Sequence, residues 1–462
     1  MNKNYLQVMT LALFAVFAGC NAPTENNNEE GWTNLIEDNS LKGWTAVAGA
    51  AEFTVEDGVV IGTAVANTPN TFLITDQQYE DFILELEIMV EHESSNSGVM
   101  VRGQYDREGK EGKGRVYGYQ VELDPQERAW SGGIYDEARR GWLYPLSLNP
   151  DARTAFKAND FNAYRIEVIG NEIKTWLNGE EVAYVVDNTD SKGMIGLQVH
   201  SISNAEDAGH KTYFRNIRVQ TENLEPTPFK KDIFVVNNLD NQLTSFEEEK
   251  GWQLLFDGSS NENWRSAKSE EFPSSGWTIN EGNLTIEASD GGESTNAGDI
   301  VTKEKYSAFD LAFDFKLTEG ANSGLKYFVT LSEETQGSAI GLEYQILDDE
   351  KHPDAKMGIN GNRTIASLYD LIASEKQSRF LKPIGEWNKG RVVVHPDNKV
   401  EHYLNGIKVL EYERGSEAFR ELVAGSKYKD FENFGEAEEG HILLQDHGNE
   451  VSFKNIKIKK LN

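Results

Sequence analysis

Cysteine is almost missing from this chain, with one residue in 462. That excludes an internal disulfide, a cysteine-based zinc site and a thiol redox pair. Positive charge is also short: 45 Lys and Arg stand against 76 Asp and Glu, a net charge of −31. Attraction to a phosphate backbone or an anionic bilayer then has the wrong sign, which excludes nucleic acid as a partner. Familiar catalytic signatures are absent too. His92-Glu93 has no second His at the zincin spacing, and neither a phosphate-cradling Gly-Lys-Ser/Thr loop nor a Gly-x-Ser-x-Gly elbow occurs.

What the chain does have is apolar surface. A hydrophobic share of 38%, with 9 Trp, 17 Tyr and 22 Phe, supports extended cores and excludes disorder for most of the length. The single long apolar run, Val8 to Ala18, is too short to span a bilayer. It leads into Phe17-Ala18-Gly19-Cys20, which resembles a bacterial lipobox. The expectation is a lipoprotein signal peptide over 1–20, lipidation at Cys20, and a flexible polar tether over 21–30. Such a protein is anchored in the bacterial cell envelope, facing periplasm or exterior, and meets the membrane only through its lipid.

Sliding the chain against itself reveals a duplication. Gly31-Trp32 recurs as Gly251-Trp252, Asn96-Ser97-Gly98 as Asn322-Ser323-Gly324, Leu177-Asn178-Gly179 as Leu404-Asn405-Gly406, and Gln198-Val199-His200 as Gln445-Asp446-His447. The order is kept, so residues 31–220 and 251–462 are read as two copies of one domain, joined by a linker over 221–250. Within each copy the apolar period is two. Phe82, Leu84, Leu86, Ile88 and Val90 alternate with other residues, as do Phe309, Leu311, Phe313, Phe315 and Leu317. Asn178-Gly179 and Asn405-Gly406 supply the positive φ values of type I′ hairpins. Ser416 to Ala424 is a short helix candidate. The expected fold is all-β, with two tandem antiparallel β-sandwiches.

Polar residues placed at period two on these strands are the candidates for chemistry. Gln120, Glu122 and Asp124 share one face in copy one, and Glu343 and Gln345 share one in copy two, with amide and carboxylate in reversed order. Gln198 with His200, and Gln445 with His447, share faces near the end of each copy, where a His and a carboxylate make an acid/base pair near neutral pH. A loop carrying Arg128, Trp130, Tyr135, Arg139 and Trp142 mixes aromatic faces with arginines, a mixture suited to carbohydrate, and His352 and Tyr369 lie in the comparable loops of copy two. A metal reading of His352 with Asp348, Asp349 and Asp354 specifies no geometry.

Gly251-Trp252-Gln253-Leu254-Leu255-Phe256-Asp257-Gly258, Ala321-Asn322-Ser323-Gly324, Glu343-Tyr344-Gln345-Ile346-Leu347-Asp348, Leu404-Asn405-Gly406 and Leu444-Gln445-Asp446-His447-Gly448 together resemble the 3-keto-disaccharide hydrolase family. Copy one resembles a second branch, through Ser97-Gly98-Val99, Gly118-Tyr119-Gln120-Val121-Glu122 and Gly132-Gly133-Ile134-Tyr135-Asp136. The resemblance implies a concanavalin A-like (jelly-roll) sandwich and cleavage of glycosides oxidised at C3 by a separate oxidoreductase. Face sharing then nominates His200 and His447 as bases, Glu122 and Glu343 as acids, and Arg102 and Lys326 as enolate stabilisers. Gln120, Asp124, Trp130, Tyr135, Arg139, Trp142 and Gln198 would bind substrate in copy one, and Gln345, His352, Tyr369, Gln445 and Asp446 in copy two. No cofactor is required by this chemistry, and a structural calcium is left unassigned. Val199 stands where copy two has Asp446, which leaves open whether both copies are active. The alternative is a non-catalytic carbohydrate-binding lipoprotein, since sandwiches host lectins as readily as hydrolases.

Overall fold

The computed structural model describes residues 31–109, 112, 114–289, 292–294, 297–331 and 339–461. Cys20, the signal peptide and the tether lie outside the described residues. Both copies are antiparallel β-sandwiches, the all-β tandem architecture expected from the sequence.

In copy one a nine-stranded sheet packs on a seven-stranded one. The strand Phe82–Val90 shows why. Its five alternating apolar side chains are buried in the core between the sheets. Glu85 and Glu87 point the other way and pair with Arg165, Arg218 and Arg215 on neighbouring strands at 2.6–2.7 Å, a charged ladder that solvates the outer face. Copy two repeats the scheme with sheets of eight and five strands. There Phe309–Leu317 buries its alternating apolar side chains, and Asp310 and Asp314 pair outward with Arg391 and Lys389.

Both Asn-Gly pairs form the expected hairpins. Asn178 and Gly179 have φ of 52° and 85°, Asn405 and Gly406 of 52° and 81°, as a type I′ turn requires. The helix of copy two runs Glu417–Ala424, with Ser416 as its cap accepting from the Phe419 amide. No helix among the described residues is long and apolar enough to cross a membrane.

The joining segment is built into the fold. Phe229, Ile233 and Val235 pack on Trp176 and Tyr184, and Val236–Asn237 adds a parallel strand beside Glu180–Val186. A short capped helix, Ser245–Glu249, then presents Glu247 to Lys457 of copy two in a buried ion pair. The copies also share apolar packing: Val393 and Tyr403 of copy two belong to the core cluster of copy one.

Candidate functional site

In each smaller sheet the strand that carries the nominated carboxylate and amide turns its apolar residues toward the sandwich and those polar ones to the opposite face. Tyr119, Val121 and Leu123 enter the core of copy one, so Gln120 and Glu122 emerge on the other side, where loops cover them. Tyr344 and Ile346 do the same in copy two, turning Glu343 and Gln345 outward. Strand register aligns the two copies. Gly98 pairs with Glu122 and Met100 with Gln120, whereas Gly324 pairs with Gln345 and Lys326 with Glu343. Carboxylate and amide have therefore exchanged places on a common scaffold. The scaffold itself is held alike: Ser97 Oγ donates to the Gln198 carbonyl at 2.7 Å, and Ser323 Oγ to the Gln445 carbonyl at 2.8 Å.

The copy-one cleft has a volume of about 440 Å³, and Gln120, Glu122, Tyr135, Trp142, Gln198 and His200 all line it. Glu122 is nearly inaccessible, and burial pushes its carboxyl up to about 7, against hydrogen bonds from Asn96 at 2.6 Å and Gln120 at 3.0 Å. Arg128 lies 3.9 Å away. His200 stands at the mouth, where surrounding protein lowers its pKa despite the Ser201 carbonyl 2.7 Å from Nδ1. That carbonyl favours a proton on Nδ1, leaving Nε2 as an acceptor. Gln198 is fully buried, and among the described residues neither its Oε1 nor its Nε2 has a hydrogen-bond partner, nor does Gln120 Oε1. Buried amides left open in this way point to groups supplied by a ligand or by water.

Copy two gathers a more charged set. Glu343 is buried, which raises its pKa, with Lys326 Nζ 3.9 Å away. Burial works against the Lys326 charge, but Glu343, Asp299 and Glu293 together raise its pKa and keep it an ammonium. Glu293 lies 3.7 Å from Lys326 and accepts from Gln445 Nε2 at 2.9 Å, while Gln445 Oε1 is unpartnered. Lys427, whose pKa burial lowers, sits 4.2 Å from the Tyr369 ring centre. His447 and His352 face each other edge to face at 6.0 Å.

Several nominated residues are engaged elsewhere. Arg102 is buried, and its guanidinium donates to the carbonyls of Glu80 and Gly170 and to Asp81, at 2.7–2.8 Å. It does not line the cleft. Nor is it the counterpart of Lys326: register assigns that place to Met100, and Arg102 matches Phe328, both in left-handed conformation (φ 48° and 52°) at an irregularity in their strands. The role of Arg102 as enolate stabiliser is therefore corrected. Asp124 holds Arg128 and the amide of Gln126, and Arg139 is tied to Asp136 and Asp190. Trp130 is packed into the core beneath Trp142. Asp446 is fully buried and accepts from the amides of Gly298 and Gly448, so it shapes its loop. Gln345 accepts from the Ile346 amide. Tyr369 donates to Asp354, which also binds Arg363.

Sequence reasoning missed Lys427 and Glu293, which lie in loops without periodicity, and Asn96, whose contact with Glu122 spans 26 residues. It also missed that copy two walls the copy-one cleft with Arg379, Phe380, Lys382 and Asn405. Among the described residues, no group of three or more His, Cys, Asp or Glu side chains is arranged to hold a metal ion. Around His352, Asp348 accepts from loop amides, Asp349 pairs with Lys376 and Asp354 with Arg363.

Known proteins resemble parts of this chain. A 3-keto-disaccharide hydrolase of Bacteroides thetaiotaomicron is 36% identical over 233 residues, covering 46% of this chain and 79% of the relative. A crystal structure of a candidate glycosyl hydrolase from Parabacteroides distasonis is 32% identical, covering 48% of this chain and all of the other, with a TM-score of 0.43. A second from the same organism is 26% identical, covering 46% and 99%, with a TM-score of 0.34. The sequence matches the 3-keto-alpha-glucoside-1,2-lyase-like domain over residues 31–220 and again over 251–459. With both sandwiches matched and their central strands in the same register, the chain belongs to the 3-keto-alpha-glucoside-1,2-lyase-like family, and carries its domain twice.

Proposed function

We propose that this protein is a carbohydrate hydrolase that cleaves glycosides carrying a ketone at C3. The observation that carries this reading is the pairing, in one polar cleft, of a buried carboxyl that titrates near neutrality with an unpartnered buried amide and a neutral imidazole.

A C3 ketone acidifies the C2 proton. His200 Nε2 takes that proton, and the C–H electrons move into the enolate. The Gln198 amide, whose Nε2 has no partner among the described residues, donates to the oxygen where charge develops. As the enolate collapses, the C1–O bond breaks and Glu122, in its protonated form, gives a proton to the departing oxygen. Water then adds across the resulting C1–C2 double bond, so the net reaction is hydrolysis. In copy two His447 is the base, Glu343 the acid, and Lys326 with Lys427 supplies positive charge for the enolate. The ketone itself has to come from a separate oxidoreductase.

Purified protein offered a 3-keto-glucoside, or 3-keto-trehalose, should release the C1 substituent, and the unoxidised glycosides should be inert. Equal turnover of both would refute the keto-dependent route. Retained ligand binding with no turnover of either would favour the non-catalytic glycan binder. We further propose that the protein is lipid-anchored through Cys20 in the bacterial envelope, supported by the Phe17-Ala18-Gly19-Cys20 motif.

A further inference from the structure

A glycoside seated over Glu122 and Gln198 must place its leaving group beyond the carboxyl face. The cleft continues there. Arg140, Trp142, Lys382 and Asn405 line the copy-one cleft and also a second cavity of about 470 Å³ between the two copies. Past these four residues the walls turn aromatic and aliphatic, with Phe234, Trp387, Tyr403 and Leu148.

Most of the charges around this groove are already paired within the protein. Lys389 meets Asp314 at 3.1 Å, Arg391 meets Asp310 at 2.6 Å, Lys454 meets Asp240 at 2.6 Å, and Arg140 meets Asp187 at 2.7 Å. A charged guest would find few open partners and would lose its own hydration. A flat apolar ring would find aromatic faces at low cost. Among the described residues two charges are exceptions, the exposed Glu386 at the rim and Lys382. Lys382 stands where cleft and groove meet, its Nζ donates at 2.8 Å to the Arg140 carbonyl, and no carboxylate among the described residues lies within ion-pair distance of it. An ammonium has three donors, so two remain for an acceptor at the junction.

We propose that the groove between the copies is a leaving-group subsite for aromatic aglycones, with Lys382 donating to the oxygen that joins the ring to the sugar. The inference rests on reading the copy-one cleft as the sugar site. It also gives the second copy a task in the first copy's specificity, because Lys382, Trp387 and Tyr403 all belong to copy two.

The test uses 2-naphthyl 3-keto-glucoside and methyl 3-keto-glucoside, titrated calorimetrically into the full-length Glu122→Gln, Glu343→Gln double variant so that neither is consumed. The naphthyl compound should bind at least about tenfold tighter than the methyl one. Adding Ala312→Phe, which puts a bulky ring at a position that lines the groove and not the cleft, should erase that preference while methyl affinity stays within about twofold. Adding Lys382→Met should cut naphthyl affinity by about fivefold without filling the groove. Equal binding of the two ligands, or a preference untouched in both folded variants, overturns the proposal. Turnover by the unmodified protein is read separately. A naphthyl preference without turnover of either compound defeats the keto-cleavage reading and leaves the subsite standing. Turnover without preference defeats the subsite alone.

Discussion

Glu122 and Glu343 occupy neighbouring outward positions on matching strands, and each brings its own cation: Arg128 reaches Glu122, and Lys326 reaches Glu343. A carboxyl moved by two residues keeps its face but changes its neighbours, so the two sites differ in the charge they offer although their scaffolds coincide. Copy one then has a distinct pH signature. Burial holds the Glu122 proton until about pH 7, and burial also lowers the His200 pKa, so the imidazole gives up its proton before the carboxyl does. A reaction needing protonated Glu122 and neutral His200 rises on the acid side as the imidazole loses its proton. It falls again as the pH passes about 7 and Glu122 ionises. Glu122→Gln should remove the falling limb of the copy-one rate and slow it by about 10²–10⁴-fold, measured in a Glu343→Gln background. An unchanged profile would show that Glu122 is not the acid. The carboxylate face was legible from period-two spacing alone. The Arg102 assignment was not, because the strand irregularity and the loop carbonyls that capture the guanidinium are set by distant segments. The offset of 226 between Gly98 and Gly324, carried on by two residues, pairs Lys326 with Met100.

At the scale of strands and turns, the same glycine in both copies explains how a carboxylate or an amide can lie flat on a sheet. A Cβ on Gly324 would sit 2.5 Å from Glu343 Oε1, and one on Gly98 would sit 2.8 Å from the Gln120 side chain. Gly324→Ala should therefore displace Glu343 and abolish copy-two turnover, while costing about 1–3 kcal/mol in urea unfolding. Turnover surviving in a Glu122→Gln background would place the chemistry elsewhere. These elements were the most readable part of the chain, because alternation and Asn-Gly turns are local signals. The charged partners supplied by loops, Glu293 and Lys427, carry no local signal. Their place follows from how the loops of copy two fold back over its five-stranded sheet.

Across the whole molecule, the shared packing of Val393 and Tyr403 with copy one and the buried Glu247–Lys457 pair bind the sandwiches into one cooperative unit. Differential scanning calorimetry should give a single transition; two resolved transitions would mean that the joining segment transmits little. The duplication itself was plain in the sequence, but the interface was not, because its residues recur with no period. If Cys20 carries the proposed lipid, Cys20→Ala should move the protein from the detergent phase to the aqueous phase on fractionation; unchanged partitioning would remove the anchor. The C-terminal strand Val451–Lys460 lies in the interior of its eight-stranded sheet, between Asn283–Ile286 and Phe309–Leu317, and carries the lysine that grips the joining segment. Copy one has all but one of its strands by residue 220, the exception being Val236–Asn237, yet the copy-two residues that wall its cleft, Arg379, Phe380, Lys382 and Asn405, come more than 150 positions later. During synthesis, which proceeds from the N-terminus, the first domain is finished early and its cleft late. A chain still emerging is thus a folded sandwich whose proposed sugar site lacks the wall that copy two supplies.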